Sequence, residues 1–236
     1  QVVGDVWEPL FGEFFFGTDQ IGRDMLSMLI YGARNMIALA LLTTGCAFGL
    51  GSLLGFLAAT MGGWVDQVLS RFVDVVISIP TLIFALIVLS STGTSIFALV
   101  TVIAIIYAMP VYRIARAVAM DIEVMDYVEA ARLRGEGLWW IMRKEILPNA
   151  LTPLAAEFGL RFCFVFLLIS GLSFLGLGLQ PPLADWGAMV RDNGGGIAWG
   201  FMHPLVPATC IALLTIGINL IVDSVVQKAS GLREDH

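Results

Sequence analysis

The residues of this chain that could do covalent chemistry are few and badly placed for it. Cys46, Cys163 and Cys210 all fall inside apolar runs, an odd and widely spaced set that makes neither a disulfide framework nor a zinc site. Of the two histidines, His203 stands just before Pro204 at the edge of an apolar run and His236 is terminal, and neither belongs to an HExxH pattern or a Ser/His pair. No G-x-x-x-x-G-K-S/T phosphate loop occurs. Two other features stand out. One is a polar stretch between long apolar runs: Glu129-Ala130-Ala131, then three residues, Gly135, and thirteen positions later Pro148, within Ile146-Leu147-Pro148-Asn149. The other is Glu157 and Arg161, one helical turn apart in an apolar run. Their chemistry is that of contact and charge rather than bond-making.

The first feature reads as an elbow. Residues 121–134 suit a helix continuing from the preceding apolar run, with Ala117, Val118, Val124, Val128 and Leu133 on its apolar side. Gly135 can end that helix, because glycine takes the left-handed conformation without a side-chain clash. A second short helix is expected over 137–146, with Pro148 marking the start of the next long element. Small Ala130 and Ala131 would let a partner's backbone come close, and Glu129 could pair with a partner's Arg or Lys. On helical pattern alone, an amphipathic linker lying on a membrane surface fits equally well. For the second feature, a charge at the bilayer centre costs about 2.5–3.5 kcal/mol. An i,i+4 pairing of Glu157 with Arg161 neutralises much of that, either as a structural lock or as a polar contact in a solute path.

The elements around these residues are set by composition. Hydrophobic residues make up 58% of the 236 and charged residues 14%, with a mean hydropathy of +0.88. A soluble domain carries about 25% charged residues, so the membrane is the solvent and the long apolar runs read as helices. Charge-free intervals cover 36–65, 75–112, 162–184 and 193–222. The second is too long for one span and is cut by the polar cluster 90–95. Five spans result, near 37–61, 67–90, 95–118, 150–178 and 204–227. Placing the Glu129 loop in the cytoplasm puts nine of the 13 Lys and Arg on that side, including Lys228 and Arg233, against Arg23, Arg34 and Arg191 outside. This arrangement obeys the positive-inside rule, and the net charge of −6 does not oppose it. Residues 1–36 then form an extracytoplasmic lead-in and 37–228 the transmembrane domain. That domain contains a cytoplasmic loop at 119–149 and a periplasmic one at 179–203, and 229–236 form a cytoplasmic tail.

With this layout on hand, the Glu-Ala-Ala…Gly…Leu-Pro pattern resembles the coupling loop of ABC importer permeases. Two further segments resemble the dipeptide/oligopeptide/nickel branch of that family. One is Gly17-Thr18-Asp19-Gln20-Ile21-Gly22-Arg23-Asp24 followed by Tyr31-Gly32-Ala33-Arg34. The other runs from Ser173-Phe174-Leu175-Gly176 through Gln180-Pro181-Pro182 to Trp186-Gly187-Ala188-Met189. The resemblance covers almost the whole chain and is to the second, C-type membrane subunit. One departure is Ile169, where many relatives carry an acid.

The resemblance implies an all-α polytopic membrane protein with the type I ABC importer fold. Five spans would be present, and a sixth is expected to precede Gln1. It also implies partners: a second permease subunit, two ATP-binding subunits, a periplasmic solute-binding protein and the lipid membrane, with no nucleic acid. ATP and Mg would sit on the partner subunits, with no cofactor on this chain, in the bacterial inner membrane. Glu129, Ala130, Ala131, Gly135, Leu138 and Pro148 would couple to the ATPase, and Glu157, Arg161 and Phe174 would be candidates for the pathway or gate. Cargo would be short peptides, nickel chelates, opines or a similar small solute. Two other classes compete. A secondary transporter or channel usually shows internal repeats and ionisable groups at the midplane; this chain shows no clear repeat and little midplane charge. An intramembrane enzyme would need the catalytic constellation that is missing above.

Smaller expectations complete the reading. Gly45, Gly49, Gly51 and Gly55 form two four-residue pairs suited to close helix packing. Pro80 and Pro110 should kink their helices. Trp186 and Trp199 look like interfacial aromatics, His203 like an interfacial residue, and 194–196 like a flexible link. A short helix on the outer surface is expected over 184–193.

Overall fold

The computed structural model describes residues 2–229, with side chains to residue 224. Arg233, His236 and the tail from residue 230 onward lie outside the described residues, as does the side chain of Lys228. Helix α1 (Met25–Met61) begins twelve residues ahead of the first expected span. Asp24 caps it, accepting from the amides of Leu26 at 3.2 Å and Ser27 at 3.0 Å. Helices α2 (Gly63–Ser78) and α3 (Thr81–Thr92) meet at 88°. Pro80 lacks an amide hydrogen and holds Ile79 extended, so the helix cannot run through. Helix α4 (Ile96–Glu123) passes through Pro110 unbroken. Four helices of the described residues are long and apolar enough to cross a membrane, and five spans result when the bent α2–α3 pair counts as one.

After α4 come α5 (Asp126–Leu133), α6 (Leu138–Ile141) and a π-helical turn (Met142–Ile146). The last runs straight into α7 (Leu147–Phe174). Pro148 therefore does not mark a new beginning. It sits in the first turn of α7, just after the wide turn, where the Asn149 side chain donates to the Glu145 carbonyl at 2.7 Å. Helix α8 (Trp186–Asn193), a 3-10 turn (Gly194–Trp199) and α9 (Leu205–Ala229) complete the described chain.

Helices α1 and α4 form the central seam. A Cβ on Gly51 would stand 2.6 Å from the Ala108 carbonyl, and one on Gly55 2.8 Å from the backbone of Tyr112 and Arg116. Because both positions advance together, the two helices run in the same direction. The other two glycines do not share this seam. Gly45 and Gly49 have open space beside them, and Gly49 borders a groove of about 610 Å³ between α1 and the start of α7. Helix α2 is tied to α4 by a polar ladder. Asp66 pairs with Arg116, Ser70 shares a hydrogen bond of 2.9 Å with Tyr112, and Asp74 accepts from Arg113 at 2.5 Å. Helix α9 lies against α7, where a Cβ on Gly159 would strike Val222.

At the end away from the elbow, residues 2–24 clasp the α8 region. Asp19 is fully buried and accepts from the amides of Ile21 and Arg23 and from the Arg23 guanidinium at 2.6–3.0 Å. Asn193 accepts from the Gln20 amide at 3.0 Å. His203 is buried and donates from Nε2 to the Glu8 carbonyl at 2.8 Å, so it is a clasp residue rather than an interfacial one. Trp186 likewise differs from expectation. It is 6% exposed, with its indole N–H on the Leu29 carbonyl at 2.8 Å. Trp199 is exposed, as an interfacial aromatic would be. The expected helix is α8, but it is packed inward: a Cβ on Gly187 would lie 2.2 Å from the Ser170 carbonyl. Nor is 194–196 a loose link, since its backbone winds into the 3-10 turn and Gly196 is buried near Trp7 and Phe201.

Candidate functional site

Two regions hold the candidate residues. The first is the elbow. Helix α4 stops at Glu123, and Val124–Met125 break the path before α5, so the single helix expected over 121–134 is two. The break turns the register. Val128 and Ala131 point inward, joining Ala115, Ala119, Ile122, Ile141, Met142 and Ile146 in one core cluster with the ends of α1 and α7. Val124 and Leu133, expected on the apolar inner side, are instead 80% and 83% exposed.

The far end of α5 is closed by a Schellman motif. The Gly135 amide donates to the Arg132 carbonyl at 2.9 Å and the Glu136 amide to the Ala131 carbonyl at 3.2 Å, with Gly135 at φ +83°. An ion pair from Arg132 to Glu123 ties α5 back to α4. The elbow is therefore anchored by its inner face while its outer face stays bare.

The expected coupling residues divide accordingly. Glu129, Ala130, Gly135, Leu138 and Pro148 are exposed, whereas Ala131 is fully buried and cannot offer its side to a partner. Beside them lie residues the sequence reading did not single out: exposed Met125, Tyr127 and Trp139. Of the bare apolar side chains here, Met125, Tyr127 and Leu133 lie outside the helices long and apolar enough to span a membrane, whereas Trp139 lies at the start of one.

The second region lies halfway along α7. Glu157 and Arg161 form the expected i,i+4 ion pair, with Arg161 using Nε. The Arg161 guanidinium also sits 5.7 Å from the ring centre of Phe164. Arg161 lines a cavity of about 350 Å³ at the α2–α3 break, together with Ile79, Thr81, Tyr107, Pro110 and Arg113. A break in a helix at membrane depth leaves backbone groups unpaired, which is tolerated where it borders a cavity or protein. Phe174 is not part of this group. It lies thirteen residues further along α7, roughly 20 Å away at 1.5 Å per residue, on the exposed outer end.

The α2–α4 ladder escaped the sequence reading as well. Its signal was the four-residue spacing of Asp66, Ser70 and Asp74, matched across α4 by Tyr112, Arg113 and Arg116. Among the described residues no cluster of His, Cys, Asp and Glu could hold a metal ion.

At the opposite end, Asp185 caps α8, accepting from the Ala188 amide at 3.0 Å and from Ser173 Oγ at 2.6 Å. Burial pushes its carboxyl above the usual carboxylate range, with the hydrogen bonds it accepts working against that rise.

Comparison with known proteins agrees with this architecture. Residues 51–229 match the family model described as "Binding-protein-dependent transport system inner membrane component". The chain is 34% identical over 212 residues to the probable D,D-dipeptide transport system permease protein DdpC of Escherichia coli K12, covering 89% of this chain and 71% of that protein. It is 35% identical over 211 residues to the di/tripeptide transport system permease protein DppC of Pseudomonas aeruginosa UCBPP-PA14, covering 89% and 69%. Among solved structures, an inward-facing form of the MetNI methionine ABC transporter superposes with a TM-score of 0.68 at 19% identity, over 86% of this chain and 97% of that one. An amino acid ABC transporter crystallised with histidines gives 0.57 at 23% identity, over 84% and 92%. The fold is the transmembrane fold of type I ABC importers, and the chain belongs to the inner-membrane permease family of binding-protein-dependent ABC importers, in its dipeptide/oligopeptide/nickel branch.

Proposed function

We propose that this chain forms half of the translocation pathway of an ATP-driven importer of short peptides in a bacterial inner membrane. It would pair with a second permease subunit, two ATP-binding subunits carrying ATP and Mg, and a periplasmic solute-binding protein. The observation that carries this reading is the elbow. Its outer face, with Glu129, Ala130 and Leu133 exposed, has no covering among the described residues, and its inner face is fixed to three long helices. Such a surface can seat in a groove of an ATP-binding subunit and pass that subunit's movement to α4 and α7. The names of the relatives, D,D-dipeptide and di/tripeptide permeases, support peptides as cargo.

The cycle is one of alternating access. Closure of the ATP-binding subunits on nucleotide carries the elbow with it and swings the attached spans so that the pathway opens outward to the delivery protein. Hydrolysis and product release reverse the swing and discharge the solute inward. The two sites are coupled by the difference in elbow contact between nucleotide states.

The test uses the assembled transporter in proteoliposomes. Glu129→Arg and Gly135→Pro are expected to leave insertion and ATP turnover intact while uptake per ATP hydrolysed falls at least about tenfold, the equivalent of some 1.4 kcal/mol of lost coupling. Uptake at the wild-type ratio by both variants overturns the elbow's role.

A further inference from the structure

We propose that the cavity at the α2–α3 break is a transit site for the carboxylate of the solute, gripped by Arg161. This rests on reading the chain as an importer's membrane subunit. A guanidinium carries five N–H donors in a planar fork that suits a carboxylate. Glu157 engages only Nε of Arg161, and the remaining nitrogens have no hydrogen-bond partner among the described residues. Arg161 lines the cavity and so does Arg113, which is paired with Asp74 at 2.5 Å. Neither Glu157 nor Asp74 is among the lining residues. The wall thus presents two guanidiniums and no carboxylate, a surface complementary to a small anion.

The rest of the lining suits a short peptide. Val76, Ile77, Phe84 and Ile106 are apolar, and Tyr107 donates its hydroxyl to the Phe164 carbonyl at 3.1 Å. The volume of about 350 Å³ falls at the small end of ligand pockets, which run from about 300 to 1,000 Å³. The walls come from α2, α3, α4 and α7, the last two joined to the elbow. A swing of the elbow would therefore reshape this cavity and release what it holds.

A purely structural Glu157–Arg161 lock makes a different forecast, because removing either partner would then do equal harm. The complex of both permeases and the ATP-binding subunits, in nanodiscs without the delivery protein, is titrated with radiolabelled alanyl-alanine and with its C-terminal amide. Wild type is expected to bind the acid more tightly than the amide. Arg161→Gln should weaken the acid about tenfold or more, the loss expected for a bond to a charged group, and leave the amide unchanged. Arg161→Lys, which keeps charge but not the fork, should fall between. Glu157→Gln should retain acid binding. If Arg161→Gln fails to assemble alone, the doubly neutral E157Q/R161Q variant is compared with E157Q instead.

Equal affinity of wild type for acid and amide, or equal losses in E157Q and R161Q, overturns the proposal. ATP-dependent uptake by the wild-type complex is scored separately. Its absence would remove the importer reading itself, whereas normal uptake with binding indifferent to Arg161 would remove only the carboxylate site.

Discussion

The two ends of the helix bundle handle polar side chains in opposite ways. Away from the elbow, Thr18, Asp19, Asp185, Asn193 and His203 are buried and hydrogen-bonded, with Asn193 and His203 bonding across the α8 clasp to Gln20 and Glu8. At the elbow the polar residues are outside, and so are Val124, Leu133 and Trp139, the last 64% exposed. Buried polar groups are retained where hydrogen-bond partners are supplied, yet this end also leaves Val2, Phe11, Phe15 and Trp199 bare, so apolar exposure alone does not distinguish the two ends. Large apolar groups left bare at either end are candidate contact surfaces. The difference lies in the polar groups, buried at the clasp and exposed at the elbow, and it is the proposed function that assigns force-bearing contact to the elbow.

Both ends hang from the α1–α4 seam, so breaking the seam should erase the contrast. Gly55→Leu forces a side chain into the backbone of α4, and overpacking of this kind costs about 1–3 kcal/mol or more. Thermal unfolding in detergent should fall by many degrees, while Gly45→Leu, facing open space, should unfold like wild type. Leu133→Glu should separate the ends. Bundle stability stays unchanged while affinity for the ATP-binding subunit drops by about 2 kcal/mol, the scale of an interface hot spot, as read by co-purification against detergent-solubilised partner. His203→Ala should do the reverse. It removes the bond to Glu8 at a cost of about 1 kcal/mol and speeds hydrogen exchange in residues 2–24, with partner binding intact.

The smallest effect belongs to Asp185. Its carboxyl titrates above the ordinary range in the folded state. Between the ordinary and the raised value the folded chain holds a proton that the unfolded chain has lost, so stability falls as pH rises through that window and is level above it. Asp185→Asn keeps the cap and should flatten this slope in melting curves taken from pH 4 upward, making the variant at least as stable as wild type at neutral pH.

How much of this was legible in the chain depends on what each signal measures. Span count, the elbow's glycine stop and the Glu157–Arg161 pair follow from local spacing, and the sequence displays local spacing directly. Ala131 and Leu133 exchanged their expected faces because a two-residue break at Val124–Met125 resets the helical register, and no strong breaker marks it. Pro148 looked like a boundary, but the π turn ahead of it lets the helix run on. Trp186 and His203 looked interfacial because their partners, Leu29 and Glu8, lie 157 and 195 residues away along the chain. Contacts at that separation are set by packing, and periodicity carries no trace of them. The four glycines of α1 illustrate both cases: the spacing announced a close approach, but only the structure separates Gly51 and Gly55, against α4, from Gly45 and Gly49.

The most direct test of the central claim is a photo-crosslinking amino acid placed at Leu133 in the intact transporter. A covalent adduct with the ATP-binding subunit, at high yield and lost when the same label is moved to buried Ala131, is the expected result. Label that reaches only lipid or water at Leu133, in a complex that still imports, would contradict it.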